Sequence, residues 1–132
     1  MEKQHINPPV IFEHPAFTRV ITVTGPMKLI WISGMTPQKE DMSAVFPGDY
    51  LAQYLYVMEK LDALLKSVGA TWDDVTFRRT YTLDVDKLKV AQNHPSTQRF
   101  FTKKPCSTLI GVTRLSDPEF LLEIEVMAAV AA

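Results

Sequence analysis

The 132 residues suffice for one domain with one buried core, and 46% hydrophobic against 22% charged residues is the balance of a globular protein. A formal net charge of −1 argues against a protein whose main work is to coat nucleic acid or an acidic membrane. No window approaches the ~18–20 apolar residues of a membrane span, Met1 to His5 carry no apolar leader behind them, and one cysteine, Cys106, excludes an intrachain disulfide. The expectation is one cytoplasmic domain over residues 1–132.

Residues 1–16, with Asn7-Pro8-Pro9 and His14-Pro15, predict an extended N-terminal arm. Phe17 to Val23 reads as a strand, Gly25-Pro26 as a turn, and Lys28 to Ser33 as the returning strand of a hairpin. Between Asp49 and Val68, apolar residues at 51, 54, 55, 58, 61, 64, 65 and 68 form the stripe of an amphipathic helix. Asp49 is placed to cap it, Gly69 to end it, and Asp62 with Lys66 to form an i, i+4 pair outside. Val75 to Leu83 alternates as a strand, with Val75, Phe77, Arg79 and Tyr81 on one face and Arg78, Thr80 and Thr82 on the other.

Asp84 or Asp86 can cap a second helix reaching about Phe101, which Pro95 interrupts or kinks. Ser107 to Thr113 and Phe120 to Ala129 complete the chain as strands, joined by a loop at 116–119. The order is β-β-α-β-α-β-β, an α+β domain with two helices packed on one sheet face. Nothing within the chain covers the other face. Thr80, Thr82, Ile110 and Val112 are predicted there, and a half-covered sheet of this kind points to oligomerisation.

The three histidines are scattered and there is one cysteine, so no metal site is indicated. No GxxxxGK or GxGxxG occurs, and no cofactor is implied. Cys106 reads either as a nucleophile or, more simply, as a small buried hydrophobe. Glu123 and Glu125 share one face of an apolar strand. Apposed carboxylates of this kind suit acid–base chemistry, and equally suit the wet face of an edge strand.

Several short patterns, in order from about residue 15 to the C-terminus, resemble one family. They are Phe17-Thr18-Arg19-Val20-Ile21, Ser33-Gly34-Met35-Thr36-Pro37, Gly48-Asp49 with Ala52-Gln53, and Gly69-Ala70-Thr71-Trp72-Asp73-Asp74-Val75. Tyr81, Asp84, Phe100-Phe101, the run from Pro105 to Val112, Arg114-Leu115, and Glu123-Ile124-Glu125 continue the series. Together they resemble the Rid (YjgF, reactive-intermediate deaminase) family. The resemblance implies a chorismate-mutase-like fold and a homotrimer with small-molecule clefts between subunits. It also implies hydrolysis of reactive enamines and imines such as 2-aminoacrylate, in members that grip the substrate carboxylate with an arginine in Pro-Ala-Arg-Ser/Thr.

Here the motif reads Pro105-Cys106-Ser107-Thr108, so Ser107 stands where that arginine would be. A hydroxyl cannot replace a bidentate, permanently charged fork. By the resemblance, Glu125 positions or activates water and Ser107 donates a hydrogen bond. Phe17, Gly34, Cys106 and Leu109 lie at the cleft, with alternation turning Ser107 and Leu109 toward it and Cys106 away. A replacement cation would come from Arg19, Arg78, Arg79 or Arg114. Two functions follow. One is a small-molecule hydrolase or deaminase that does not favour 2-aminoacrylate. The other is a non-catalytic trimer binding a metabolite or a partner protein, with no role in nucleic-acid or membrane binding.

Overall fold

The computed structural model describes residues 1–100 and 103–132. Its strands are β1 (Glu2–Ile6), β2 (Val20–Thr24), β3 (Met27–Met35), β4 (Val75–Thr82), β5 (Cys106–Gly111) and β6 (Leu122–Ala131). Its helices are α1 (Tyr50–Ser67) and α2 (Val85–Gln92), with 3₁₀ turns at Trp72–Asp74 and Pro95–Phe100. The second residue of the Phe100-Phe101 pair, and the expected end of the second helix, fall outside the described residues. Among those residues no helix is long and apolar enough to cross a membrane.

The fold is α+β, with α1 laid across a four-stranded sheet in the order β3-β6-β4-β5. Only β4 and β5 run parallel, and α2 makes the crossover between them. The apolar stripe of α1 buries Tyr54, Val57, Met58, Leu61 and Leu65 against Ile30, Leu122, Ile124 and Val126 of the sheet. Asp49 caps the helix by accepting from the Ala52 amide at 3.0 Å, and Gly69 takes φ +79° just beyond its end. Asp62 and Lys66 pair at 2.7 Å. Gln53, fully buried on α1, ties two loops to the sheet. Its amide nitrogen donates to the carbonyls of Val45 and Glu119, and its oxygen accepts from the Leu121 amide, each at 3.0 Å.

Three expectations are corrected. The first residues of the arm form β1, which pairs antiparallel with β2 from Glu2↔Thr24 to Ile6↔Val20. For that reason β2 and β3 do not pair as a hairpin; β3 pairs with β6 instead, and β1-β2 make a separate ribbon. The third correction concerns β4. A bulge between Val75 and Phe77 inserts one residue against β6, so Val75 joins Arg78, Thr80 and Thr82 on the helix-covered face. Thr80 and Thr82 are therefore buried rather than on the uncovered face. Phe77, Arg79 and Tyr81 occupy that face, opposite Met127, Glu125 and Glu123 of β6.

Candidate functional site: a cavity at β4–β5 and a carboxylate pair behind it

The parallel register sets Arg78 beside Ser107 and Thr80 beside Leu109, all on the helix side. At this edge of the sheet α1 no longer covers the strands, and a cavity of about 410 Å³ opens between β4–β5, α2 and the N-terminal arm. Its floor is Arg78, Thr80, Ser107 and Leu109. One wall is Val85, Lys89 and Gln92 along α2, with Asn93 just beyond its end. The other is the arm, which brings in His14 and Phe17 stacked at 4.3 Å between ring centres. The arm is held there by backbone. The Thr18 amide donates to the Pro105 carbonyl at 3.1 Å, the Thr18 hydroxyl to the Lys104 carbonyl at 2.5 Å, and the Lys104 ammonium to the Pro15 carbonyl.

Arg78 lies on the floor with 9% of its surface exposed, and its Nη2 is 3.5 Å from Ser107 Oγ. Arg78 also borders a second cavity of about 110 Å³, lined in part by the buried Tyr54 and by Gln92. Burial pushes the Tyr54 phenol up, opposed by the Arg78 guanidinium and a hydrogen bond with Gln92. The Thr80 hydroxyl is buried, and among the described residues it has no hydrogen-bond partner. A buried hydroxyl without a partner is costly, and a polar ligand or water in the cavity would relieve it.

On the uncovered face lies a second cluster. Arg79 Nη1 donates to Glu125 Oε1 at 2.6 Å, and the Tyr81 hydroxyl donates to the same oxygen at 2.9 Å. The Arg79 hydrogen bond, against some desolvation, holds the Glu125 carboxyl below the usual range. Glu123 behaves oppositely: burial, then the Glu125 charge, pushes its carboxyl up. Glu123 packs directly on Gly34, where an added Cβ would lie 2.0 Å from Oε2. The glycine is the room the carboxylate occupies.

The residues expected at one cleft are thus divided. Phe17, Ser107 and Leu109 share the cavity; Gly34, Arg79 and Glu125 share the opposite face. Glu125 does not reach Ser107 within one chain, because β4 pairs Arg79 with Glu125 on one face and Arg78 with Ser107 on the other. Arg19 leans over the rings of Phe12 and Phe17, donates to the Phe12 carbonyl, and lines neither site. Arg114 donates to its neighbours Leu115 and Ser116 in the loop after β5. Cys106 points away from the cavity toward the Arg19 carbonyl at 3.7 Å, and burial pushes its thiol up, which makes it a poor nucleophile.

Sequence reasoning passed over the buried Thr80 hydroxyl and the burial that pushes the Glu123 carboxyl up. It named Arg78 and Arg79 among four candidate cations without ranking them, although the two arginines lie at the two clusters separately. The signal was present in the alternation itself, once the bulge sets its phase.

The family model described as Endoribonuclease L-PSP matches residues 14–130. A protein of Acinetobacter baylyi named 3-aminoacrylate deaminase RutC is 28% identical over 116 residues, 88% of this chain and 90% of that protein. Among solved structures, the Rid-family protein YyfB of Yersinia pestis, described as of unknown function, superposes with a TM-score of 0.83 at 27% identity. The match covers 98% of this chain and 100% of that one. A member of the YjgF/YER057c/UK114 family from Mycobacterium tuberculosis follows at TM-score 0.64 and 28% identity, over 88% of both chains.

Proposed function

The chain belongs to the Endoribonuclease L-PSP (Rid/YjgF) family, and from that premise we propose that it is a cytoplasmic hydrolase of reactive enamines or imines other than 2-aminoacrylate. The observation that carries this reading is the cavity at β4–β5. It combines apolar side chains on floor and both walls, Leu109, Val85 and Phe17, with polar groups from Arg78, Thr80, Ser107 and Asn93. Concave, mostly apolar sites with a few convergent polar groups suit a small metabolite.

In the proposed reaction an enamine takes a proton on carbon to give its imine. Water then adds across the C=N bond, and loss of ammonia leaves a ketone. The proton carrier must be easier to protonate than an ordinary carboxylate, and burial pushes the Glu123 carboxyl up while Arg79 holds that of Glu125 down, which favours Glu123. Glu125, expected from the sequence to be the base, is better suited to positioning as a fixed anion on Arg79 and Tyr81. Ser107 would hydrogen-bond the ligand.

Because the carboxylates and the cavity lie on opposite faces of one sheet, this chemistry needs a second copy. The uncovered face offers Trp31, Leu29 and Met127 at 66%, 52% and 41% exposure, too apolar to be left in water comfortably. We therefore propose a homotrimer in which the Glu123–Glu125 face of one subunit closes the cavity of its neighbour.

The test is to generate imines from a panel of amino acids with an amino-acid oxidase and trap what survives with semicarbazide. A hydrolase lowers the trapped fraction for some of the panel and leaves 2-aminoacrylate near the uncatalysed rate. The second reading, a non-catalytic trimeric binding module, is favoured by Ser107 in place of the family arginine. It becomes the better one if no imine in the panel is consumed while the trimer is intact.

A further inference from the structure

We propose that the Thr80 hydroxyl, beside that of Ser107, reads an uncharged acceptor oxygen on the floor of the β4–β5 cavity. The ligands this selects are small acids that carry a second, uncharged carbonyl. The inference rests on the reading of that cavity as the substrate site. It starts from a contrast among the buried threonines. Thr18, Thr82 and Thr97 each turn the hydroxyl onto a main-chain carbonyl, of Lys104 at 2.5 Å, Leu121 at 3.0 Å and Gln92 at 2.8 Å. Thr80 is as deeply buried, with 1% exposure, and its Oγ1 has no partner among the described residues. Of the four, it is the one that lines the larger cavity.

Folding alone would put valine there. Valine has the same branched shape, suits a strand and leaves no buried hydroxyl unmatched. The register partners of Thr80 are Leu109 on β5 and Ile124 on β6, and neither side chain accepts a hydrogen bond. A polar atom kept where it lowers stability is expected where function uses it.

Ser107 supplies the second donor. Arg78 Nη2 donates to Ser107 Oγ at 3.5 Å. A guanidinium only donates, so the Ser107 oxygen is the acceptor of that contact and its proton is turned elsewhere. Among the described residues nothing accepts that proton. Two hydroxyl protons on adjacent strands thus lack an acceptor at one floor.

The cavity lining carries Arg78 and Lys89 but, among the described residues, no aspartate or glutamate, which suits a ligand rich in acceptors. Lys89, exposed on the α2 wall, is the cation for the acid group. The floor hydroxyls are neutral and give one hydrogen bond each. That matches the two lone pairs of an uncharged carbonyl oxygen and falls short of the roughly four acceptor sites of a carboxylate. In the proposed reaction, the substrate is then the imine of an amino acid whose side chain bears a ketone or carboxamide.

The experiment is calorimetric titration of the intact protein with three acids of one shape. 4-Oxopentanoate ends in a methyl ketone, succinate replaces its methyl with a charged oxygen, and 4-methylpentanoate replaces its ketone oxygen with a methyl. The wild type is expected to bind 4-oxopentanoate tightest. In Thr80→Val the ratio of ketone to methyl affinity should fall at least about fivefold, the low end of what a buried group left unmatched costs. Thr80→Ser keeps a hydroxyl and should keep the wild-type order. Without ligand, Thr80→Val should raise the urea midpoint, because it removes an unmatched buried hydroxyl.

A midpoint that does not rise shows the hydroxyl already partnered and overturns the inference. So does a ratio unchanged in Thr80→Val, or a wild type that prefers succinate or 4-methylpentanoate, or one that binds no 4-oxopentanoate. The hydrolase reading fails separately. A Thr80-dependent choice of the ketone with no imine consumed removes the reaction and keeps the role of the floor. Imine turnover with the ratio unchanged in Thr80→Val keeps the reaction and removes the role of Thr80.

Discussion

The two faces of the four-stranded sheet are made from alternate residues of the same strands, yet they solve different problems. The covered face is closed by α1 and packed with Leu122, Ile124, Val126 and two threonines, and its polar groups are mostly satisfied inside the chain. Gln53 is the extreme case, with four hydrogen-bond contacts and no exposure. The uncovered face keeps Trp31, Phe77 and Met127 next to an Arg79–Glu125–Tyr81 cluster. One face is finished by folding; the other leaves apolar side chains exposed, and on the reading above a neighbouring copy closes it. Substrate chemistry, on the reading above, needs the unfinished one.

The largest effect should come from spoiling the uncovered face alone. Trp31→Asp places a charge in the middle of the exposed apolar group without touching the core. Tryptophan buries ~150–250 Å² when covered, so an interface that depends on it should not survive the change. Sedimentation velocity is expected to show a monomer that is still folded by circular dichroism; a trimer of unchanged stability would mean that this face is not the interface. Next in size is the covered face. Gln53→Leu strands the Val45 and Glu119 carbonyls and the Leu121 amide. At about 1–3 kcal/mol for each buried group left unsatisfied, urea titration should report a loss of about 3 kcal/mol or more.

A smaller and more selective change is Gly34→Ala. The new methyl would meet Glu123 at Oε2 and Cδ, 2.0 and 2.8 Å away, the far end of a side chain that can swing aside. Stability should therefore fall by about 1 kcal/mol, the low end of the cost of overpacking, while imine hydrolysis drops with the displaced carboxylate. Equal losses of stability and activity would show that the glycine serves packing only.

How much of this was legible in the sequence depends on how local the determinant was. The helix α1 was readable because its stripe, its Asp49 cap and its Gly69 stop lie within its own residues. Strand β1 was not, since Glu2-Lys3-Gln4-His5-Ile6 has no apolar alternation and becomes a strand only by pairing with β2. Ser107 and Leu109 were placed on their common face correctly from alternation alone, as was Cys106 on the other. Their relation to Glu125 within the chain was not readable in this way, because it runs through two strand registers and one bulge. A bulge is a single residue's shift, and nothing about Thr76 announces it. Arg78 was readable only as one of four candidate cations; its burial on the cavity floor depends on which face of β4 the helices cover.

The smallest expected effect is also the sharpest test of the carboxylate pair. Glu123, with its folded pKa raised by burial first and by Glu125 second, folds best when protonated. Its contribution is present below the carboxylate's unfolded value, about 4.3, and is lost as pH rises through the folded value. Glu125, with its pKa lowered mainly by Arg79, contributes above its unfolded value and loses that contribution as pH falls through the folded one. The two windows meet at the unfolded value, so the pair's contribution should peak there, falling toward acid through Glu125 and toward neutral pH through Glu123. Glu123→Gln should uncover the Glu125 slope, with stability falling toward acid, and Glu125→Gln the reverse. Following the side-chain carboxyl carbons by NMR separates the causes. In Glu125→Gln the Glu123 titration should move down, because the neighbouring negative charge is gone, yet stay above an ordinary glutamate, because burial remains. A Glu123 titration that does not move when Glu125 is neutralised would mean that the two carboxyls are not coupled, and proton handling by the pair would have to be abandoned.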